Sequence, residues 1–286
     1  ANLLIEKHLQ TIGDWPRALL ITAWGTANMR TGGDDIAQAL ALMGVKPQWD
    51  AANRRVTGFE ILPLTILDRP RVDVTLRISG FFRDAFPQLI DLVDSAARAV
   101  MALDEPPDMN PAAARAKAEG GDGQHRVFGS KPGAYGAGLQ AMIDERLWAD
   151  KSDLADAYLE WGGYAYGDNA QGKRARKSLE TRLSQVEAVV QNQDNREHDI
   201  LDSDDYYQFE GGAAAAVSTL QGRDRPIYHN DHSRPERPLI RTLDDEIGRV
   251  VRSRVVNPKW IEGVMRHGYK GAFEMAATVD YLFAFA

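Results

Sequence analysis

Apolar positions in this chain form a short dense run, then two regular periods. Residues 17–24 (RALLITAW) are almost all apolar, which predicts a buried strand, and Gly25, Gly32 and Gly33 behind them predict a loop. From Asp34 onward Ile36, Ala39, Leu40 and Met43 recur at the helical period, with acids at the amino end and Gly44 as a stop, so a helix is expected. Val72, Val74, Leu76 and Ile78 alternate with Asp73, Thr75, Arg77 and Ser79, the signature of a strand with one buried face. Leu89, Leu92, Val93, Ala96 and Val100 then mark a long amphipathic helix. The first part therefore reads as the strand-helix layer of a parallel α/β domain.

That rhythm stops at 101–123, where Pro106, Pro107 and Pro111 precede an alanine run and Gly120-Gly121-Asp122-Gly123. The expected division is an α/β domain over 1–110, a linker over 111–124 containing a short helix, and a mostly helical domain with short strands over 125–286. Within the last, 126–128 is a brief strand, the Gly-rich loop 129–138 (GSKPGAYGAG) leads into a helix reaching Trp148, and Leu179, Leu183, Val186 and Val190 predict one further helix. Residues 212–220 predict an alanine-rich helix. Thr242, with Asp245 three residues later, predicts a capped helix whose arginines gather at its carboxyl end. Residues 191–212 (QNQDNREHDILDSDDYYQFEGG) have no apolar period and read as a polar loop unable to build a core by itself.

Composition narrows the function classes. Apolar residues make up 44%, enough for a sizeable core, and the absence of cysteine excludes disulfides and thiolate metal sites and favours a cytoplasmic setting. No apolar run approaches the roughly 18 residues of a membrane span. The net charge of -7 argues against general nucleic-acid binding. Two local basic patches, Lys173-Arg174-Ala175-Arg176-Lys177 and Arg234, Arg237 and Arg241, suit either a polyanionic small molecule or a solvated face. The start at Ala1 and the apolar finish at 281–286 suggest a piece of a longer chain.

The chemistry-bearing motifs are loose. Residues 167–174 approximate a phosphate-cradling loop, but Arg174 stands where a magnesium-binding hydroxyl is needed and Asp168 among the would-be phosphate contacts, so ATP hydrolysis by this chain is not expected. His229-Asn230-Asp231-His232, bracketed by Pro226 and Pro235, reads as a loop whose two imidazoles are candidate metal ligands or a plain surface pair. His198 lies among Asp199, Asp202, Asp204 and Asp205, a second donor cluster. No nucleophile elbow is present. Asp204, Asp205 and Glu210 leave open a carboxylate hydrolase.

Several words of the chain, in order, resemble the large subunit of cobaltochelatase and magnesium chelatase: Trp24-Gly25-Thr26, Arg69-Pro70-Arg71-Val72-Asp73, Ser79-Gly80-Phe81-Phe82-Arg83-Asp84, Arg126-Val127-Phe128, Asp205-Tyr206-Tyr207, Asn257-Pro258-Lys259-Trp260 and His267-Gly268-Tyr269. Residues 129–139 and 204–212 are similar to the cobalt branch. The resemblance implies a carboxyl-terminal portion of a tetrapyrrole-binding subunit, a ligase forming nitrogen–metal bonds. In such a subunit Co²⁺ is a substrate inserted into hydrogenobyrinic acid a,c-diamide for cobalamin synthesis, and ATP is hydrolysed by partner AAA-type motor subunits. On that basis the candidate catalytic groups are His198, Asp205, Tyr206 and His267, the substrate contacts Tyr135, Tyr207, Phe209, Arg237 and Arg241, and the metal ligands His229 and His232. The competing expectations are a docking module for the motor subunits that never touches substrate, and a metal-dependent or carboxylate hydrolase.

Overall fold

The computed structural model describes residues 1–120, 124–167 and 170–285, without the side chains of residues 283 and 284. Gly121, Asp122, Gly123 and Asp168, named above, lie outside the described residues, as do Asn169 and Ala286. The strands are β1 (Ala18–Ala23), β2 (Val45–Trp49), β3 (Val56–Ile61), β4 (Asp73–Ile78), β5 (Val127–Gly129), β6 (Tyr164–Gly167), β7 (Ala170–Arg174), β8 (Ala188–Gln193), β9 (Ile227–Asp231) and β10 (Leu239–Thr242). Eight of them form one sheet in the order β10-β9-β8-β1-β4-β5-β6-β7, and β2 and β3 form a separate hairpin. The contiguous set β9-β8-β1-β4-β5 is parallel, flanked by antiparallel β10 on one side and the β6-β7 hairpin on the other. The fold is α/β, as the alternating patterns predict, and the second half is mainly helical with short strands.

Helices cover both faces. Asn2–Ile12, Asp34–Met43 and Pro87–Met101 pack on one face through Leu4, Leu40, Val93 and Val100 against Leu19, Ile21, Leu76 and Val190. Lys151–Gly162, Arg176–Leu183 and Gly212–Gln221 cover the other through Tyr158, Leu179 and Ala216 against Leu20, Phe128 and Val189. This double cover explains a departure from expectation: every residue of β4 is buried, its polar set Asp73, Thr75 and Arg77 included. A parallel strand has no solvent face, so its polar side chains must find partners inside. Asp73 does so with Arg126 at 2.7 Å and Arg182 at 2.7 Å, both buried, and with Arg115 at 3.2 Å.

Other local readings change in the folded chain. The glycine-rich stretch after β1 is a helix, Gly25–Thr31. The helix expected to run from Leu179 to Val190 stops at Leu183, because Ala188, Val189 and Val190 enter the centre of the sheet. The stretch 226–235 is not wholly a loop, since 227–231 is β9. Residues 191–212 join the core: Ile200, Leu201, Tyr206, Tyr207 and Phe209 are all buried. The segment 111–124 holds the helix Pro111–Glu119, and the sheet runs across it, with β1 bonded both to β4 before it and to β8 after it. No described helix is long and apolar enough to cross a membrane.

Candidate functional site

The chain leaves β1 toward β4 and β5 on one side and later returns to β8 and β9 on the other, so the direction of winding reverses between β1 and β8. In open α/β sheets, a crevice forms outside the carboxyl ends of the strands at such a point. Here Trp24 follows β1 and the acidic segment follows β8. Arg30 and Asp194 join the two segments with two hydrogen bonds of 2.6 and 2.9 Å.

The pairing register builds the floor. Arg241 faces His229, His229 faces Gln191, Thr22 faces Arg77 and Arg77 faces Phe128, while the Thr22 hydroxyl donates to the Gln191 side chain. Directly opposed residues share a face of a sheet. Arg241, His229, Gln191, Thr22, Arg77 and Phe128 are therefore one transverse row across six strands. The short helix Asp204–Tyr206 and the π-helix Tyr207–Gly211 lie over that row. π-helical turns are rare and concentrate at functional sites. This one carries Glu210 to His229, both side chains wholly buried, with Glu210 Oε1 3.4 Å from His229 Nδ1.

The other ring nitrogen, Nε2, is 3.2 Å from Gln193 Oε1. The Gln193 amide donates to the His198 carbonyl, which turns its oxygen toward the imidazole. Both ring nitrogens thus face acceptors, an arrangement that suits an imidazolium. Burial alone would lower the His229 pKa, but Glu210, with Glu246 and Asp231 farther off, reverses the sign and holds it above its ordinary value. Among the described residues Glu210 Oε2 has no hydrogen-bond partner.

Charge around the pair is balanced by arginines. Glu246, in the helix Leu243–Val250, binds Arg241 at 3.2 Å and forms an ion pair with Arg249. Asp231 binds Arg196 at 2.7 Å and Arg241 at 3.3 Å. Burial would raise the Asp231 carboxyl, yet Ser233 and these arginines bring it down to about 2. Tyr206 packs its ring 5.7 Å from His229 and 4.8 Å from Trp24, and burial pushes its hydroxyl far up, so it stays protonated.

Of the residues singled out from sequence, Tyr206, His229 and Arg241 come together here, and Phe209 lies beside them with its ring 6.1 Å from Trp24. Tyr207 turns away to pack 5.3 Å from Tyr281. His232 lies on the opposite face from His229 and contacts Asp34 at 3.1 Å, so the two imidazoles do not converge. Among the described residues no group of three or more His, Asp or Glu could hold a metal ion. His198 is exposed and 3.5 Å from Asp202, and Asp205, Arg237 and His267 are also exposed. Tyr135 lies on the surface, its hydroxyl donating to Asp84 at 2.7 Å. The basic patch is partly neutralised: Arg174 pairs with Glu160, and Arg176 with Asp156, Glu160 and Glu180. Gln193 and Glu246 carried no sequence signal of their own. Gln193 stands in the uninterrupted polar run that closes β8, and Glu246 among the acids of a helix's first turn, so neither stands out from its neighbours.

Comparison with known proteins gives the context. The CobN/Magnesium Chelatase family model matches residues 1–286. The aerobic cobaltochelatase subunit CobN of Sinorhizobium sp is 66% identical over 100% of this chain and 24% of its own length, and that of Pseudomonas aeruginosa is 60% identical with the same shares. A magnesium-chelatase subunit of Rhodobacter capsulatus is 35% identical over 96% of this chain and 24% of its own. Among solved structures, the catalytic subunit of cobaltochelatase from Mycobacterium tuberculosis superposes with a TM-score of 0.97 at 49% identity, over 99% of this chain and 25% of that one. The chain spans about a quarter of the length of these relatives.

Proposed function

The chain belongs to the CobN/magnesium chelatase family, and from that premise we propose that it is a catalytic portion of a cobaltochelatase subunit in which the His229–Glu210 pair handles the protons displaced from the tetrapyrrole. Placing Co²⁺ in a corrin-type ring, such as hydrogenobyrinic acid a,c-diamide, strips water from the ion and releases the ring N–H protons, which a nearby group must take up. Glu210 Oε2 is the open acceptor, and the His229 imidazolium supplies the compensating charge. Because both side chains are sealed from solvent in this conformation, their part is to hold and pass a proton behind the strand edge while other groups touch the ring.

The side chains available at the surface for a substrate's carboxylates and flat apolar face are Arg237 and Tyr135, with His198, Asp205 and His267 as further exposed proton carriers. ATP-driven motor subunits acting on the complete polypeptide in the cytoplasm supply the work of insertion. The single observation that carries this reading is a buried imidazole–carboxylate pair, delivered by a π-helix, in a chain aligned along its whole length with cobaltochelatase subunits.

The test is Glu210→Gln and His229→Ala in the full-length subunit, assayed with its partner subunits for Co²⁺ insertion. We expect kcat to fall by about 10²- to 10⁴-fold, the range of a lost acid–base group. Wild-type turnover in both variants would remove the pair from the reaction. Turnover that fails together with loss of motor-subunit binding would favour the docking role instead.

A further inference from the structure

Arg77 is a charged member of the transverse row that the site described above does not use. It sits at the middle of the sheet, wholly buried, with its Nη1 donating to the Ile78 carbonyl at 2.6 Å, while Nε and Nη2 have no hydrogen-bond partner among the described residues. Burial lowers its pKa, the hydroxyls of Tyr158 and Tyr166 act in the other direction, and among the described residues no carboxylate pairs with it. A guanidinium taken out of water without a counter-ion is a net cost to the fold, and its replacement by an apolar side chain of similar volume is commonly neutral or stabilising. Stability therefore does not account for it.

Its surroundings do. The guanidinium carbon is 5.1 Å from the centre of the Phe209 ring and 5.6 Å from that of Tyr158. Cation–π attraction strengthens where the cation is desolvated, as here. Phe209 belongs to the π-helix and directly precedes Glu210. Tyr158 belongs to the helix Lys151–Gly162, on which the continuation of the π-helix packs: a Cβ on Gly212 would come within 2.6 Å of the Tyr158 ring. The space beside Arg77 is tight as well, since a Cβ on Gly162 would meet its Nε at 2.9 Å. Two rings from two elements thus converge on one buried charge, and the residue next to one of them is the acid of the functional pair.

We propose that Arg77 is a positioning residue: its guanidinium, fixed between Tyr158 and Phe209, sets the wide turn that holds Glu210 against His229. This deepens the reading of the His229–Glu210 pair and rests on it for any effect on turnover, but not for its effect on geometry. A buried aliphatic chain offers the rings no charge, so nothing would select the π turn over an ordinary α turn, and Glu210 would swing away from His229.

The experiment is Arg77→Met in the full-length subunit, read by melting temperature, by the Glu210–His229 separation in its crystal structure, and by kcat and KM for Co²⁺ insertion with the partner subunits present. The expected result is a melting temperature at or above that of the wild type, a Glu210 Oε1–His229 Nδ1 separation opened from 3.4 Å to beyond hydrogen-bonding distance, and kcat reduced about tenfold or more with KM little changed. An unchanged separation overturns the proposal whatever happens to turnover. A drop in melting temperature with the separation intact likewise assigns Arg77 to structure alone. An opened separation with wild-type kcat supports the positioning role and sinks the catalytic reading of the pair. Should Arg77→Met fail to fold, Phe209→Leu removes the ring contact with Arg77 in place and is held to the same separation.

Discussion

Asp35 shows what burial does to a single carboxyl. It accepts hydrogen bonds from Asn28 at 2.7 Å and Asn192 at 2.7 Å, but among the described residues no cation pairs with it, and burial pushes its pKa up to about 6. A folded pKa above the unfolded value means that stability is fully present below the unfolded value and lost as pH rises through the folded one. Asp35 should therefore withdraw roughly 3 kcal/mol between about pH 4 and pH 6. Urea unfolding across that window should show the decline in the wild type and not in Asp35→Asn. His229 obeys the same sign: its raised pKa stabilises the fold below its ordinary value, and the gain is lost as pH climbs through the raised one. Glu210→Gln should accordingly cost more stability at pH 6 than at pH 9, and an equal cost at both would mean that the pair is not ionic. Asp73 is the opposite case. Burial would raise its carboxyl, but Arg182 and Arg126 hold it far below the usual range, so Asp73→Asn should lose about 3–5 kcal/mol by stranding two buried guanidiniums. At this scale residue type was legible and burial was not. Six histidines look alike in a sequence, and the exposed His198 and His267 were as plausible as the sealed His229.

At the scale of elements, period and capping were readable wherever the signal was local. The helix Asp34–Met43 begins at its acids and ends at Gly44, whose φ of 76° suits glycine, and Thr242 accepts from the Asp245 backbone as the capping pattern requires. The helix expected over 179–190 failed because short apolar runs fit a buried strand as well as a helix, and the sheet had a vacancy for β-branched residues between β1 and β9. The π-helix had no local signature at all. Phe209, Glu210 and the following Gly212 each meet a tertiary partner there. Gly212→Ala should cost about 1–3 kcal/mol by forcing the helix Gly212–Gln221 away from Tyr158, whose ring a new Cβ would approach to 2.6 Å. A melting temperature equal to the wild type would show that the two helices can part without loss.

For the whole molecule, the sheet is the decisive unit. Residues 1–110 supply β1 and β4, but the neighbour of β1 on its other side is β8, and that of β4 is β5, both from beyond the proline- and glycine-rich segment. A 1–110 piece expressed alone should thus lack a stable fold, visible as poor amide dispersion in NMR. A well-dispersed spectrum would instead restore the division expected at 111–124. Sequence by itself determined the α/β class, the strands and helices with a strong local period, the family words and the shortage of basic charge, because each depends on neighbours in the chain. Only the tertiary structure decided which polar residues were buried and which met. The row from Arg241 to Arg77 draws its members from five strands spread over most of the chain, and hydrogen-bond register between distant strands, which no local pattern encodes, brings them onto one face.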